Sequence, residues 1–348
     1  MLVRRLPRVV GAALVAAGVL VRPLPAAAHV KWFNDQYCVG CPPDALDGIF
    51  DRWWLASLAF FSLLSLCAFV VDRIWGEQAG AWFEGLVAQI QSPPQNYLRV
   101  GLGVFLLCLW THGGILLTPE LRTDNEAIPW LQLALAACTL SWRTTWITAV
   151  GIFTLYGIAL AQYGVFHLLD YPIFPGIAAY LAIHSLRLER LRPLAGSILV
   201  AAVAATLLWA SFEKWAYWSW TMPVIGTHPE IAMGANPKAY VIFAGFVEFF
   251  LAYFLVAGRF MGRLAAAGLL SMFVSAIFDF GKIDAIGHLM IILSLVVIIL
   301  QGTQPVTNFL APRRLGVTLG AIASLAILNL VLGAYAVGYF GLHQLIYD

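Results

Sequence analysis

The sequence predicts an all-α fold: a polytopic transmembrane helical bundle of two parallel four-helix repeats plus flanking helices. Three observations lead there. The apolar residues come in long blocks, the arginines gather at alternate ends of those blocks, and one stretch of the pattern recurs further along the chain.

The blocks come first. Of 348 residues, 61% are hydrophobic and only 11% are charged, against about 45–50% and about 25% in a soluble domain. Several blocks reach the roughly 20 residues needed to cross a bilayer. Only helices satisfy every backbone group of such segments in lipid without closing a barrel. The formal charge of +2 is too small for a nucleic-acid partner, and no Gly-rich phosphate loop is present. The bilayer is therefore the expected partner, and chemistry must come from helix ends, short loops and the membrane interior.

The N-terminus has the three parts of a secretory signal. Arg4, Arg5 and Arg8 precede an apolar run from Val9 to Val21, and Ala26-Ala27-Ala28 supplies a cleavage site. Residues 1–28 are read as a signal peptide, which puts His29 first in the mature chain and on the periplasmic side of a bacterial inner membrane. Residues 29–52 then form an extracytoplasmic segment.

Ten spans follow, at about 53–74, 97–118, 128–141, 145–163, 172–187, 194–218, 239–257, 261–280, 285–301 and 316–341. With residue 29 outside, the inner ends hold Arg73, Arg99, Arg143, Arg187, Arg190, Arg192, Arg259, Arg263, Arg313 and Arg314. Lys31, Arg52, Arg122, Lys238 and Lys282 fall outside, as the positive-inside rule requires. Residues 53–96 comprise the first span and a cytoplasmic linker. Trp82, Phe83, Leu86, Val87 and Ile90 share one helical face there, which predicts a linker resting on the membrane surface.

The recurrence divides the remainder. Residues 163–171, YGVFHLLDY, match 280–288, FGKIDAIGH, at an offset of 117. Trp110 and Trp209 hold similar places upstream, as do Gln132 and Glu248. Residues 97–190 and 191–302 thus read as related four-helix units that both start from the cytoplasm, hence parallel repeats about an axis along the membrane normal. Residues 303–348 add a C-terminal transmembrane helix.

Within the second unit, a glutamate in the apolar helix "GFVEFFLAYFLVAGRF", a Gly-Arg hinge, another apolar helix and a short polar turn resemble the DoxX-type membrane proteins. The "LLWASFEKWAY" of the sixth span resembles the first helix of that family, and maps Lys214 and Glu248 onto family-like positions. The resemblance covers roughly residues 194–302 and, more weakly, 97–190. It implies a four-helix membrane unit and, as in some members, quinone-linked sulfur oxidation with a redox partner subunit.

Polar groups narrow the chemistry. Glu213, Lys214 and Glu248 sit in or near apolar spans, where a charge is costly unless paired or wetted. Glu213 and Lys214 are adjacent and so point about 100° apart on a helix. A Lys214–Glu248 pair is expected, either as a proton or quinone site or as a packing device. Six of the seven histidines fall on the outer side: His29, His112, His167, His228, His288 and His343. His112, His167, Asp170, Asp284 and His288 are read as ligand or proton-relay groups, with Gly113 and Gly114 allowing close approach beside His112. Cys38 and Cys41 form a C-x2-C in an oxidising compartment, open to three readings: disulfide, metal half-site or thiol redox pair. His29, with its α-amine and imidazole, joins Cys38 and Cys41 as a candidate ligand set for copper or zinc. The tryptophans near span ends, including Trp53, Trp54, Trp130, Trp146 and Trp215, read as an aromatic belt.

These features favour a quinone-linked redox or respiratory-type membrane subunit with a functional periplasmic face. Metal handling outside the membrane is the alternative, followed by small-solute transport and a non-catalytic assembly role.

Overall fold

The computed structural model describes residues 30–33, 38, 40–90, 92–302, 310, 312 and 314–347. The predicted signal segment 1–28 and His29 lie outside the described residues. Helix makes up 80% of the structure. Among the described residues no strand forms beyond an isolated bridge between Ile115 and Arg122, so the architecture is an all-α bundle. The chain is a multi-pass membrane protein. Among the described residues six helices are long and apolar enough to cross a bilayer, and large apolar side chains face outward on them, among them Leu330 at 72% and Val337 at 76% exposure. Such exposure suits lipid, not water.

The principal helices are α1 (Arg52–Val87), α2 (Pro94–His112), α3 (Ala127–Cys138), α4 (Thr145–Tyr163), α5 (Ile173–Ser185), α6 (Arg192–Ala216), α7 (Pro237–Ala257), α8 (Phe260–Gln301) and α9 (Val317–Tyr347). Helix α1 starts where Asp51 accepts the backbone N–H groups of Trp53 and Trp54 at 2.9 and 3.2 Å, an N-cap that satisfies two orphan donors. It runs unbroken for 36 residues, about 54 Å at the usual rise, so the span and the linker are one helix. The linker that follows the first span is thus the far end of α1 as far as Val87. Asp72, inside α1, accepts from the N–H groups of Arg259 and Met261, and Arg263 lies over the Phe83 ring at 5.1 Å. These contacts dock the extension onto the start of α8.

Helix α8 is two arms. Its 42 residues would span about 63 Å if straight, twice the hydrocarbon core. Gly281 has φ 70° and ψ −145°, a conformation that L side chains rarely adopt. The chain folds back there, so the Phe273 and His288 rings come within 4.7 Å and Gly302 meets the Arg263 side chain. The equivalent position in the first repeat, Gly164, ends α4 with φ 82°. Both repeats therefore break at the same place, 117 residues apart.

The packing between the repeats is reciprocal. Helix α5, last of the first unit, packs on α6, first of the second. The second arm of α8, last of the second unit, packs on α2, first of the first. Gly176 of α5 abuts Ala202 of α6, and Leu293, 117 residues on from Gly176, abuts Gly101 of α2. A glycine stands on one side of each contact, which lets the backbones close up. Helices α1 and α9 flank this core and pack on each other.

Helix α2 is shorter than the predicted span. Gly113 and Gly114 both take positive φ, 73° and 65°, and end the helix instead of admitting a neighbour. The chain then turns inward, with Ile115, Leu116, Leu117 and Leu121 at 0–3% exposure. Buried irregular backbone needs partners, and Gln132 supplies them by donating to the carbonyls of Ile115 and Leu116 at 2.7 and 3.0 Å. The short α3 and α5, 12 and 13 residues, leave room for such inward-folded segments. The tryptophans divide: Trp130 is 66% exposed as a belt residue would be, but Trp54 and Trp215 are buried at 9% and 1%. Trp215 donates to the carbonyl of Ile242 and belongs to the core.

Replacing Gly176 or Gly101 by Leu is expected to lower stability by about 1–3 kcal/mol through overpacking. Gly157→Leu, at a position with no neighbour within 4 Å, should leave it unchanged. Thermal melts in one detergent compare the three, and equal melting points would refute close packing at the repeat interface.

Candidate functional site

The inward turn after α2 carries Glu120 into the bundle. The break at Gly164 sets a short helical turn, Val165–Leu168, that carries His167, with Asp170 and Tyr171 just beyond. The C-terminal end of α6 brings Glu213. These groups surround Lys31, which arrives from the one-turn helix Val30–Trp32. Its ammonium pairs with Asp170 and Glu213 and lies 3.9 Å from Glu120. Glu120 Oε1 is also 2.9 Å from His167 Nε2 and accepts from the Tyr171 hydroxyl. The side chains of Lys31, Glu120 and Asp170 are 1–3% exposed and that of Glu213 is 13% exposed.

Burial opposes charge on Lys31, but Asp170, Glu120 and Glu213 together outweigh it and hold its pKa well above the ordinary lysine value. Burial also opposes charge on Glu120. Lys31, then His167 and the Tyr171 hydroxyl, overcome it and hold Glu120 below the ordinary carboxylate value. For Tyr171, burial and the neighbouring Glu120 push the phenol well up, so it stays a donor. Lys31 and Glu120 are thus fixed in their charged forms.

The two charges adjacent in α6 serve different partners. Glu213 faces Lys31, while Lys214 Nζ is 2.6 Å from a Glu248 oxygen on α7. That second pair has one charge of each sign and ties α6 to α7.

A third polar pair lies on the second arm of α8, one turn beyond Gly281. Asp284 and His288 are 0% and 1% exposed, with His288 Nδ1 3.1 Å from Asp284 Oδ1. Trp32, next to Lys31, packs its ring 4.7 Å from the His288 ring and covers Gly287. The segment 30–33 therefore reaches the break of both repeats, Lys31 entering the first and Trp32 the second.

The other predicted groups stand apart. His112 is exposed at the end of α2 and contacts the carbonyl of Gly113. It does not join His167 or His288, because α2 ends before it can turn inward. His228 is exposed beside Glu230. Cys38 and Cys41 are joined by a disulfide with Cα atoms 5.7 Å apart, so in this form neither is a thiolate ligand. The Cys41 carbonyl accepts from the Tyr217 hydroxyl at 2.9 Å and lies 3.0 Å from His343 Nε2. The disulfide loop is thereby held to α6 and α9. Among the described residues no group of three or more His, Cys, Asp or Glu side chains is arranged to hold a metal ion.

Sequence reading passed over Lys31, Glu120 and Tyr171. Lys31 looked like one of a few outer cations, and nothing in a linear pattern says that a loop carboxylate folds inward. The two-glycine break before Glu120 was the available signal.

Compared with models of known protein families, with curated proteins and with solved structures, the chain matches none.

The pH dependence follows from the two fixed charges. Glu120, lowered on folding, contributes stability that is complete above its unfolded pKa and lost as pH falls through the folded one. Lys31, raised on folding, contributes stability that is complete below its unfolded pKa and lost as pH rises through the folded one. Melting temperature should therefore form a plateau that falls at both ends. Glu120→Gln should flatten the acid limb. Lys31→Met should flatten the alkaline limb and lower the plateau by about 3–5 kcal/mol, since it strands buried carboxylates. Melts from about pH 2 to about pH 12, a range that reaches beyond the ordinary carboxylate and lysine values, decide this; an unchanged acid limb in Glu120→Gln would refute the pairing. Replacing both Cys38 and Cys41 by Ser closes no chemistry in this account and should cost at most about 2 kcal/mol, the entropy of so short a loop.

Proposed function

We propose that the protein is a multi-pass inner-membrane subunit with a proton-exchange site on its periplasmic face, serving a quinone-linked redox reaction. The observation that carries the reading is the crowding around Lys31: among the described residues three carboxyl groups surround one ammonium, with His167 on Glu120, in a site almost closed to solvent. A surplus of buried negative charge is too costly to persist, and a bound proton relieves it. Lys31 keeps its own proton and Glu120 gives its proton up, which leaves Asp170 and Glu213. Glu213 contacts the Asp170 carboxyl as well as the Lys31 ammonium.

Glu213 is the exchange point, since it alone of the three acids has appreciable exposure. The hydroxyl of Tyr339 on α9 is buried without a hydrogen-bond partner and lies within electrostatic reach of Glu213, where it can accept or pass on a proton. The balanced Lys214–Glu248 pair has no surplus charge to relieve, so the proton role moves from Glu248 to Glu213, and Lys214 with Glu248 fixes helix packing.

The DoxX-like resemblance supplies the redox context. An apolar groove of about 380 Å3 lined by Phe60, Phe61, Phe243, Phe250 and Phe254 lies between α1 and α7 and suits an isoprenoid tail. A partner subunit would bring the electron-transfer centre, since the sequence carries no haem, flavin or iron–sulfur motif.

Infrared difference spectra across a pH change test the proton site. A protonated-carboxyl band that titrates in the wild type should vanish in Glu213→Gln and persist in Glu248→Gln. A band absent from the wild type, or lost only in Glu248→Gln, would sink the assignment. Solvent extraction of the purified protein tests the redox context separately: bound quinone is expected, and its absence would remove quinone from the reading.

A further inference from the structure

The second repeat holds a polar pair that the proton-exchange reading does not use. Asp284 and His288 lie one turn apart on the second arm of α8, both sealed from solvent. Neither oxygen of Asp284 accepts a hydrogen bond. A buried carboxylate in that condition bears most of its desolvation cost, and a cation would remove it.

The first repeat shows what this place in the fold is built to do. The offset of 117 carries His167 onto Asp284 and Tyr171 onto His288. His167 and Tyr171 converge on a single atom, Glu120 Oε1, each as a hydrogen-bond donor. In the second repeat the same two positions carry a carboxylate and an imidazole, 3.1 Å apart and both able to offer lone pairs. The clasp is retained and its polarity is inverted.

The geometry points to a site for a divalent transition-metal ion held by Asp284 and His288. Two ligands each about 2.0–2.1 Å from one ion, at tetrahedral or right angles, lie about 2.8–3.4 Å apart. The Oδ1-to-Nδ1 distance of 3.1 Å falls in that range. Carboxylate with imidazole suits zinc, manganese or iron, whereas the hard magnesium ion prefers oxygen alone. The His288 ring is held between Trp32 and Phe273, each at 4.7 Å, which fixes its orientation as metal-bound imidazoles require. The site stands apart from the Lys31 cluster and does not rest on the proton-exchange reading.

Zinc is the probe. The full mature protein in mild detergent is stripped with chelator, loaded with zinc, desalted and assayed for metal and protein. About one zinc per chain should be retained. Asp284→Asn and His288→Gln should weaken binding by more than the roughly 10–100-fold that loss of a mere supporting partner costs. His112→Gln, at an exposed histidine outside the site, should retain the full amount. Cobalt(II) added to the stripped wild type should give the visible absorption of a nitrogen- and oxygen-ligated ion, a reading that needs no variant to fold. No retained zinc and no cobalt spectrum in the wild type would overturn the assignment. So would retention that survives both Asp284→Asn and His288→Gln, or zinc lost only in His112→Gln.

Discussion

Lys31 sits among carboxyl groups from three separate parts of the chain: the inward turn after α2, the segment after α4 and the end of α6. Each of those carboxyls would be costly in a bilayer-embedded bundle without a cation, and each is placed by a different helix end. One ammonium therefore couples the first repeat, the second repeat and the N-terminal segment. The disulfide loop, the hydrogen bonds to the Cys41 carbonyl and the docking of Trp32 all follow from a segment that Lys31 anchors at this depth.

The same coupling separates structural from chemical charge. The Lys214–Glu248 pair is balanced and joins neighbouring helices, as buried pairs do when they fix register. The Lys31 cluster is not balanced, and its remaining acidity is what the proposed proton exchange uses. Neighbouring residues of α6 serve the two, because successive residues of a helix point about 100° apart. One turn of helix thus serves the α7 pair on one side and the Lys31 cluster on the other.

Repetition explains the rest of the polar layout. Both units break at a positive-φ glycine, Gly164 and Gly281, and each break starts a helical turn that clasps something between positions i and i+4. Because the units pack reciprocally, their breaks face the same end of the bundle, where one short segment reaches both. The repeats have kept the backbone device and changed the side chains on it. The positions that place donors on Glu120 in the first unit hold the Asp284–His288 pair in the second.

The all-α membrane architecture was legible in the sequence because it depends on long-range averages. Apolar blocks of bilayer length admit only helices there, and the 117-residue recurrence with its shared glycine is visible in the letters. The direction of Glu213 and Lys214 to different sides was also readable, since helical angle is a local property. What the tertiary structure alone decided was which charges meet. The Gly113-Gly114 pair marks a break after α2, but nothing local says that the following loop folds inward until Gln132 satisfies its carbonyls. Nor does anything local place Lys31, 139 residues from Asp170, inside a carboxylate cage. Partners so distant in sequence are chosen by the packing of helices around a common axis, and that packing is set by the whole bundle at once.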